Sequence, residues 1–180
     1  MWFSLHEFPD GVEPQRGNRI VFDIGRGEAW FGAVGVPDGH SLVWELSDDG
    51  ADGAKLVAEV ELDRGTEWLM RCDRIDFPRG GVAYRHVHPG PGIRYLVFGS
   101  LEIDAAGESH TYGPGEAWFE GAEYPVLATA DDTVDTAFVR VLLLPREWEG
   151  KRTIRYLDPA DEERPKLQRP TVYLEQPIEL

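Results

Sequence analysis

The sequence predicts an all-β protein of the sandwich or barrel type, on three observations. From Arg19 onward, short apolar or alternating runs follow one another almost without interruption. The breaks between them are rich in glycine, proline and aspartate, which tolerate turn conformations. No long stretch shows the 3.6-residue spacing of an amphipathic helix.

Taken in order, a strand over 19–24 ends at GRGE, one over 29–34 ends at PDG, and one over 41–46 ends at DDGADG. Strands over 54–61 and 67–77 follow, the second closed by PRGG. The strand over 82–88 runs into PGPG, 93–98 leads into 101–104, and AAGE turns the chain into 109–112. After GPGE come 117–120, 126–130 and 136–144. The last of these, TAFVRVLLL, is nearly continuous apolar sequence, which suits a strand buried on both faces, and Pro145 stops it. From Arg146 the composition changes to charge and proline (DPADEERPKLQRP) and then to a short alternating segment, TVYLEQPIEL. This reads as an arm that wraps the domain or a neighbouring subunit. The expected organisation is one domain: N-terminal β-segments over 1–66 that extend a barrel, a barrel core over 67–145, and an arm over 146–180.

The 180 residues suffice to bury a core without disulfides or structural zinc. Hydrophobic residues make up 42% and charged residues 28%, and no apolar run is long enough to span a bilayer. The formal charge is −15 and the pI about 4.6, so the long-range field repels phosphate backbones and anionic membranes. Nucleic acid and membrane are therefore not expected partners. The same field opposes an anionic small molecule, which would need a local cation in its site. The N-terminus lacks a basic segment followed by an apolar stretch of signal-peptide length, and Cys72 is the single cysteine. Both observations favour a cytoplasmic location, with Cys72 a spectator thiol.

The stretch RGGVAYRHVHPGPGIRYLVFG, residues 79–99, concentrates the candidate chemistry. Side chains alternate along a strand, so His86 and His88 point the same way, about 7 Å apart along the chain. If position 92 also faces the interior, so do 94, 96 and 98, unless a bulge intervenes. That turns Arg94 inward, either to pair with an internal carboxylate such as Glu120 or to offer a fork to a ligand carboxylate or phosphate. By the same parity Tyr84 lies inward with the histidines, and Trp118 and Phe98 form apolar walls. His6, His40 and His110 read as exposed.

The spacing of Gly80, His86, His88, Gly92 and Gly99 resembles the first motif of the cupin family, G(X)5HXH(X)3E(X)6G, with glycine at position 92 where that motif has glutamate. A second motif would begin at Gly115, and its landmarks are mostly replaced: Val126 stands for the third metal histidine. A register two residues earlier, from Gly113, places Tyr124 there instead; the first register has the more usual intermotif length. The resemblance covers about residues 75–144 and implies a double-stranded β-helix, the jelly-roll barrel. It also implies that His86 and His88 are half of a site for a divalent transition metal: Fe, Mn, Ni, Cu or Zn. Tyr124, Glu120, Glu123 and His110 are the candidates to complete it.

Three functions stay open on these residues. One is a metal-dependent enzyme of the oxygenase, isomerase or lyase type, with Arg94 orienting a small carboxylated or carbonyl substrate. Another is a metal-free enzyme with His86 or His88 as general base and Tyr84 or Tyr124 as acid. The third is a ligand-binding or sensing protein that keeps the barrel as a pocket. All three expect a small molecule inside the barrel. Edge strands before residue 67 and the arm after 145 further lead to the expectation of a homodimer through strand addition or arm exchange, with a monomer covered by its own extensions as the alternative.

Overall fold

The computed structural model describes all 180 residues. The N-terminal third forms five strands: β1 (Trp2–Phe8), β2 (Asn18–Asp23), β3 (Glu28–Phe31), β4 (Ser41–Ser47) and β5 (Leu56–Glu59). They make an antiparallel sheet in the order β3-β2-β4-β1-β5. These segments do not extend the barrel sheets, as the sequence led us to expect, but form a sheet of their own. β1, read from the sequence as a terminal segment, lies between β4 and β5 within it.

Then follow β6 (Trp68–Phe77), β7 (Val82–Val87), β8 (Gly92–Phe98), β9 (Leu101–Ala105), β10 (Glu108–Tyr112), β11 (Ala117–Glu120), β12 (Val126–Ala130) and β13 (Thr136–Pro145). The chain passes back and forth between two sheets as it goes. One has the order β10-β9-β12-β7, the other β11-β8-β13-β6, and all pairings are antiparallel. That alternation makes a jelly-roll barrel. The arm then adds β14 (Arg155–Tyr156) beside β7 and β15 (Arg169–Ile178) beside β6, with a one-turn helix α1 (Pro159–Glu162) between them. The arm therefore lies on the barrel of its own chain and extends both sheets along one side. Pro170 and Pro177 in β15 are tolerated because β15 is an edge strand. No helix is long and apolar enough to cross a membrane.

Alternation along the strands assigns the two faces of the middle sheet. Met70, Cys72, Ile93, Tyr95, Val139, Val141 and Leu143 point away from the barrel interior and pack against Phe3, Leu5, Ile20, Phe22, Leu42, Trp44 and Leu46 of the N-terminal sheet. The opposite face sends Ile75, Phe77, Leu96, Trp118 and Phe138 toward Ala83, Ile103, Val126 and Ala128 of the outer barrel sheet. The middle sheet is thus covered on both sides, which is why β13 is so continuously apolar. Cys72 is fully buried in this layer, and burial pushes its thiol pKa up, so it is an inert packing group.

Trp44 is the largest side chain with no solvent contact, and its indole Nε1 donates to the Ile93 carbonyl at 3.1 Å across the two sheets. Replacing Trp44 with alanine is expected to cost about 3–5 kcal/mol from lost burial and the cavity left behind. Trp44→Phe, which keeps an aromatic ring but loses the hydrogen bond, should cost about 1–3 kcal/mol. Urea denaturation of both variants checks the order and the size of the two effects.

Candidate functional site

A cavity of about 670 Å³ lies between the two barrel sheets, with the arm as its remaining wall. Its size suits a small organic molecule. One end is apolar, lined by Ile75, Phe77, Ile103, Val126, Ala128 and Phe138, and the other is built from ionisable groups. Six lysines or arginines and two glutamates line the cavity, and with Asp73 against Arg71 and Arg140 and Glu162 against Arg152 a small local excess of positive charge remains in an acidic protein.

His86 and His88 both face this cavity and are 5% and 4% exposed. Their rings lie nearly perpendicular, with centroids 5.0 Å apart. His86 Nδ1 is 2.7 Å from the Tyr84 carbonyl and His88 Nδ1 is 3.1 Å from the Thr153 carbonyl. A carbonyl only accepts, so each imidazole carries its proton on Nδ1 and presents Nε2 as an acceptor. For His88 that acceptor is already used, because Arg140 Nη1 donates to Nε2 at 3.0 Å.

Arg140 is held by Asp73, which accepts from its Nε at 2.6 Å and its Nη2 at 3.2 Å, and which also accepts from Arg71 Nε at 3.1 Å. Arg94 turns inward as its parity requires and is 1% exposed. Its Nη2 lies 2.6 Å from Glu120 Oε2, while Trp118 Nε1 donates to Glu120 Oε1 at 2.8 Å. Its Nη1 folds back onto the Gly92 carbonyl at 2.6 Å. A Cβ at position 92 would stand 2.5 Å from Leu142 Cδ2 and 2.8 Å from Arg94 Nη1. The space that a side chain would need there is therefore filled by Leu142, the guanidinium and the Val141 carbonyl. Burial lowers the Arg94 pKa to about 10 against the opposing pull of Glu120, so it remains charged at neutral pH.

The other residues singled out from the sequence lie elsewhere. The pairing of β7 with β12 shifts register between Val126–His86 and Ala128–Ala83, and this bulge puts both Ala83 and His86 on the cavity side. Tyr84 is consequently outside the cavity, under the Arg164 guanidinium, contrary to the inward position that simple alternation gave it. A second shift, between Ala137–Phe98 and Phe138–Leu96, turns Phe98 outward to Arg74, so it is not a cavity wall. Tyr124 is 41% exposed in the loop after β11 and does not reach the cavity. Glu123 pairs with Arg155 at the surface, and His110 is exposed against Tyr112. Of the other two histidines, His6 is half-buried beside Ser4 rather than exposed, and His40 bonds Glu7. Val126 stands across from His86 and lines the cavity.

This donor set does not fit a metal ion. No three His, Cys, Asp or Glu side chains converge, a valine stands across from His86, and two guanidinium groups lie against His88 and Gly92. Arg71, Asp73 and Arg140, like the arm residues Thr153, Tyr156, Lys166 and Gln168, did not emerge from the sequence as site residues. The one available signal was Arg140 itself, a lone charge in the middle of TAFVRVLLL.

The strand order defines a jelly-roll barrel with both histidines facing its interior. No protein-family model matches the sequence, and neither does any curated protein. Solved structures similar to it include an RmlC-like cupin from Shewanella frigidimarina, 19% identical over 43% of this chain and 68% of that one, with a TM-score of 0.39. The polyketide cyclase RemF from Streptomyces resistomycificus is 18% identical over 57% of this chain and 72% of its own, with a TM-score of 0.41. KdgF from a Halomonas species is 24% identical over 43% and 69%, with a TM-score of 0.36.

Burial pushes the His86 pKa from 6.5 down to about 4, with the Arg140 and Arg94 charges assisting and Glu120 opposing. His88 is likewise held well below its ordinary value, by burial first and then by Arg140. Between about pH 6.5 and 4 the unfolded chain binds protons that the folded protein refuses. Stability from this source is therefore complete above pH 6.5 and is lost as the pH falls through that window, by about 3 kcal/mol for His86 alone. A His86→Phe variant should lose less stability than the wild type between pH 7.5 and 4.5, as read from urea denaturation midpoints at several pH values.

Proposed function

We propose that the barrel binds a small organic anion without a metal ion. The observation that carries this reading is the hydrogen bond from Arg140 Nη1 to His88 Nε2, because the lone pair a metal would need is given to a cation. The guanidinium of Arg140 on His88 and that of Arg94 at Gly92 make the polar end of the cavity a place for negative charge rather than for a divalent ion. The carboxylate of a ligand would lie at Arg94 and Arg140, and its apolar body between Ile75, Phe77, Phe138 and Val126. The small excess of cations around the cavity counters locally the repulsion that a protein of charge −15 exerts at distance.

Two measurements test this. Untagged protein should contain no stoichiometric transition metal and should not take up Zn(II), Mn(II) or Fe(II) on titration. Stoichiometric metal that disappears in a His86→Ala/His88→Ala variant would overturn the proposal. In calorimetry, 3-phenylpropanoate should bind at least tenfold more tightly than its neutral amide. An Arg94→Met/Glu120→Gln variant, which removes the pair together and leaves no buried charge unmatched, should abolish that preference.

A further inference from the structure

Building on the anion-binding reading, we infer that the cavity takes an aromatic hydroxy acid: a carboxylate for Arg94 and, on the same molecule, a hydroxyl that donates to His86. The inference comes from what the polar groups of the cavity still lack. Arg94 pairs with Glu120 through Nη2 at 2.6 Å and bonds the Gly92 carbonyl through Nη1 at 2.6 Å, and its other N–H groups have no further acceptor in the protein. His86, on the facing sheet, has Nδ1 bound to Tyr84 and receives no donor at Nε2. Gln168 bonds Tyr156 through Nε2 and leaves its buried Oε1 without a partner, and Tyr156 is the β14 neighbour of His86. One side of the cavity thus asks for negative charge, while the side around Tyr156 offers acceptors.

Each simpler ligand leaves one of these unmet. A dicarboxylate would bring oxygen lone pairs to His86 Nε2 and Gln168 Oε1, which repel them. An ammonium group would satisfy both acceptors but would enter a cavity bordered by six cations. A plain carboxylic acid would leave both acceptors dry and unbonded. A hydroxyl is neutral and donates its one proton to His86 Nε2, so that only Gln168 Oε1 is left to a second donor. The body between the two ends meets Trp118, stacked on Tyr112 and edge-on to Phe138 at 5.4 Å, so an aromatic ring suits the space.

The test compares three pairs of probes by calorimetry: 3-phenyllactate with 3-phenylpropanoate, mandelate with phenylacetate, and 4-hydroxyphenylacetate with phenylacetate. In at least one pair the hydroxylated member should bind about fivefold to tenfold more tightly to the wild type. In His86→Phe/Gln168→Leu that preference should shrink to less than about twofold, while the deoxy acid keeps its affinity. Gln168→Leu alone, in the arm, gives a second reading should the double variant not fold; a partial loss of preference supports the inference. Carboxylates that bind with no hydroxyl preference in any pair would overturn this inference and leave the anion site standing. If no carboxylate bound at all, the anion-binding reading itself would fail.

Discussion

Asp73 has no contact with solvent, and three nitrogens of two arginines converge on it. A guanidinium buried without such a partner costs several kcal/mol, so this carboxylate is what permits Arg71 and Arg140 to sit in the barrel floor. It also aims them. With Nε and Nη2 of Arg140 committed to Asp73, Nη1 is directed at His88, whose other nitrogen meets the Thr153 carbonyl in the arm. One polar chain, Asp73 to Arg140 to His88 to Thr153, therefore connects β6, β13, the end of β7 and the C-terminal arm across the cavity. The same chain decides the character of the site, because it makes His88 part of an arginine network.

The N-terminal sheet makes this arrangement durable. By covering the outer face of β6, β8 and β13 it keeps water from the backbone on which Asp73, Arg94 and Arg140 are mounted, and charges in such a place interact more strongly than at a surface. Trp44, bonded to the backbone of β8 one residue from Arg94, ties that cover directly to the strand that carries the cation. Packing in one layer thus supports electrostatics in the next.

Much of the barrel was legible in the sequence because alternation and turn chemistry agree there. The segment from Val82 to Phe98 shows both, and the inward orientation of His86, His88 and Arg94 could be read from it. Tyr84 and Phe98 were misplaced for one shared reason: each lies beside a bulge, and a bulge reverses faces without leaving a mark in a single sequence. β1 was legible and passed over, since Phe3 and Leu5 alternate with Ser4 and His6 as a half-covered strand should. β15 was hidden by its prolines, which argue against a central strand and not against an edge. The arginine network was illegible for a different reason: Asp73 and Arg140 are neighbours only through the pairing of β6 with β13, 67 residues apart.

The arm completes the cavity, and its docking on the barrel joins two equilibria. Thr153, Tyr156, Lys166 and Gln168 belong to the wall of the cavity and, equally, to a segment that docks on an already closed barrel. Whatever occupies the cavity and touches those residues must hold the arm down, and the docked arm must in turn hold the occupant in, by the same free energy. Occupancy of the interior is for this reason readable from the outside, as the resistance of the C-terminal segment to a protease.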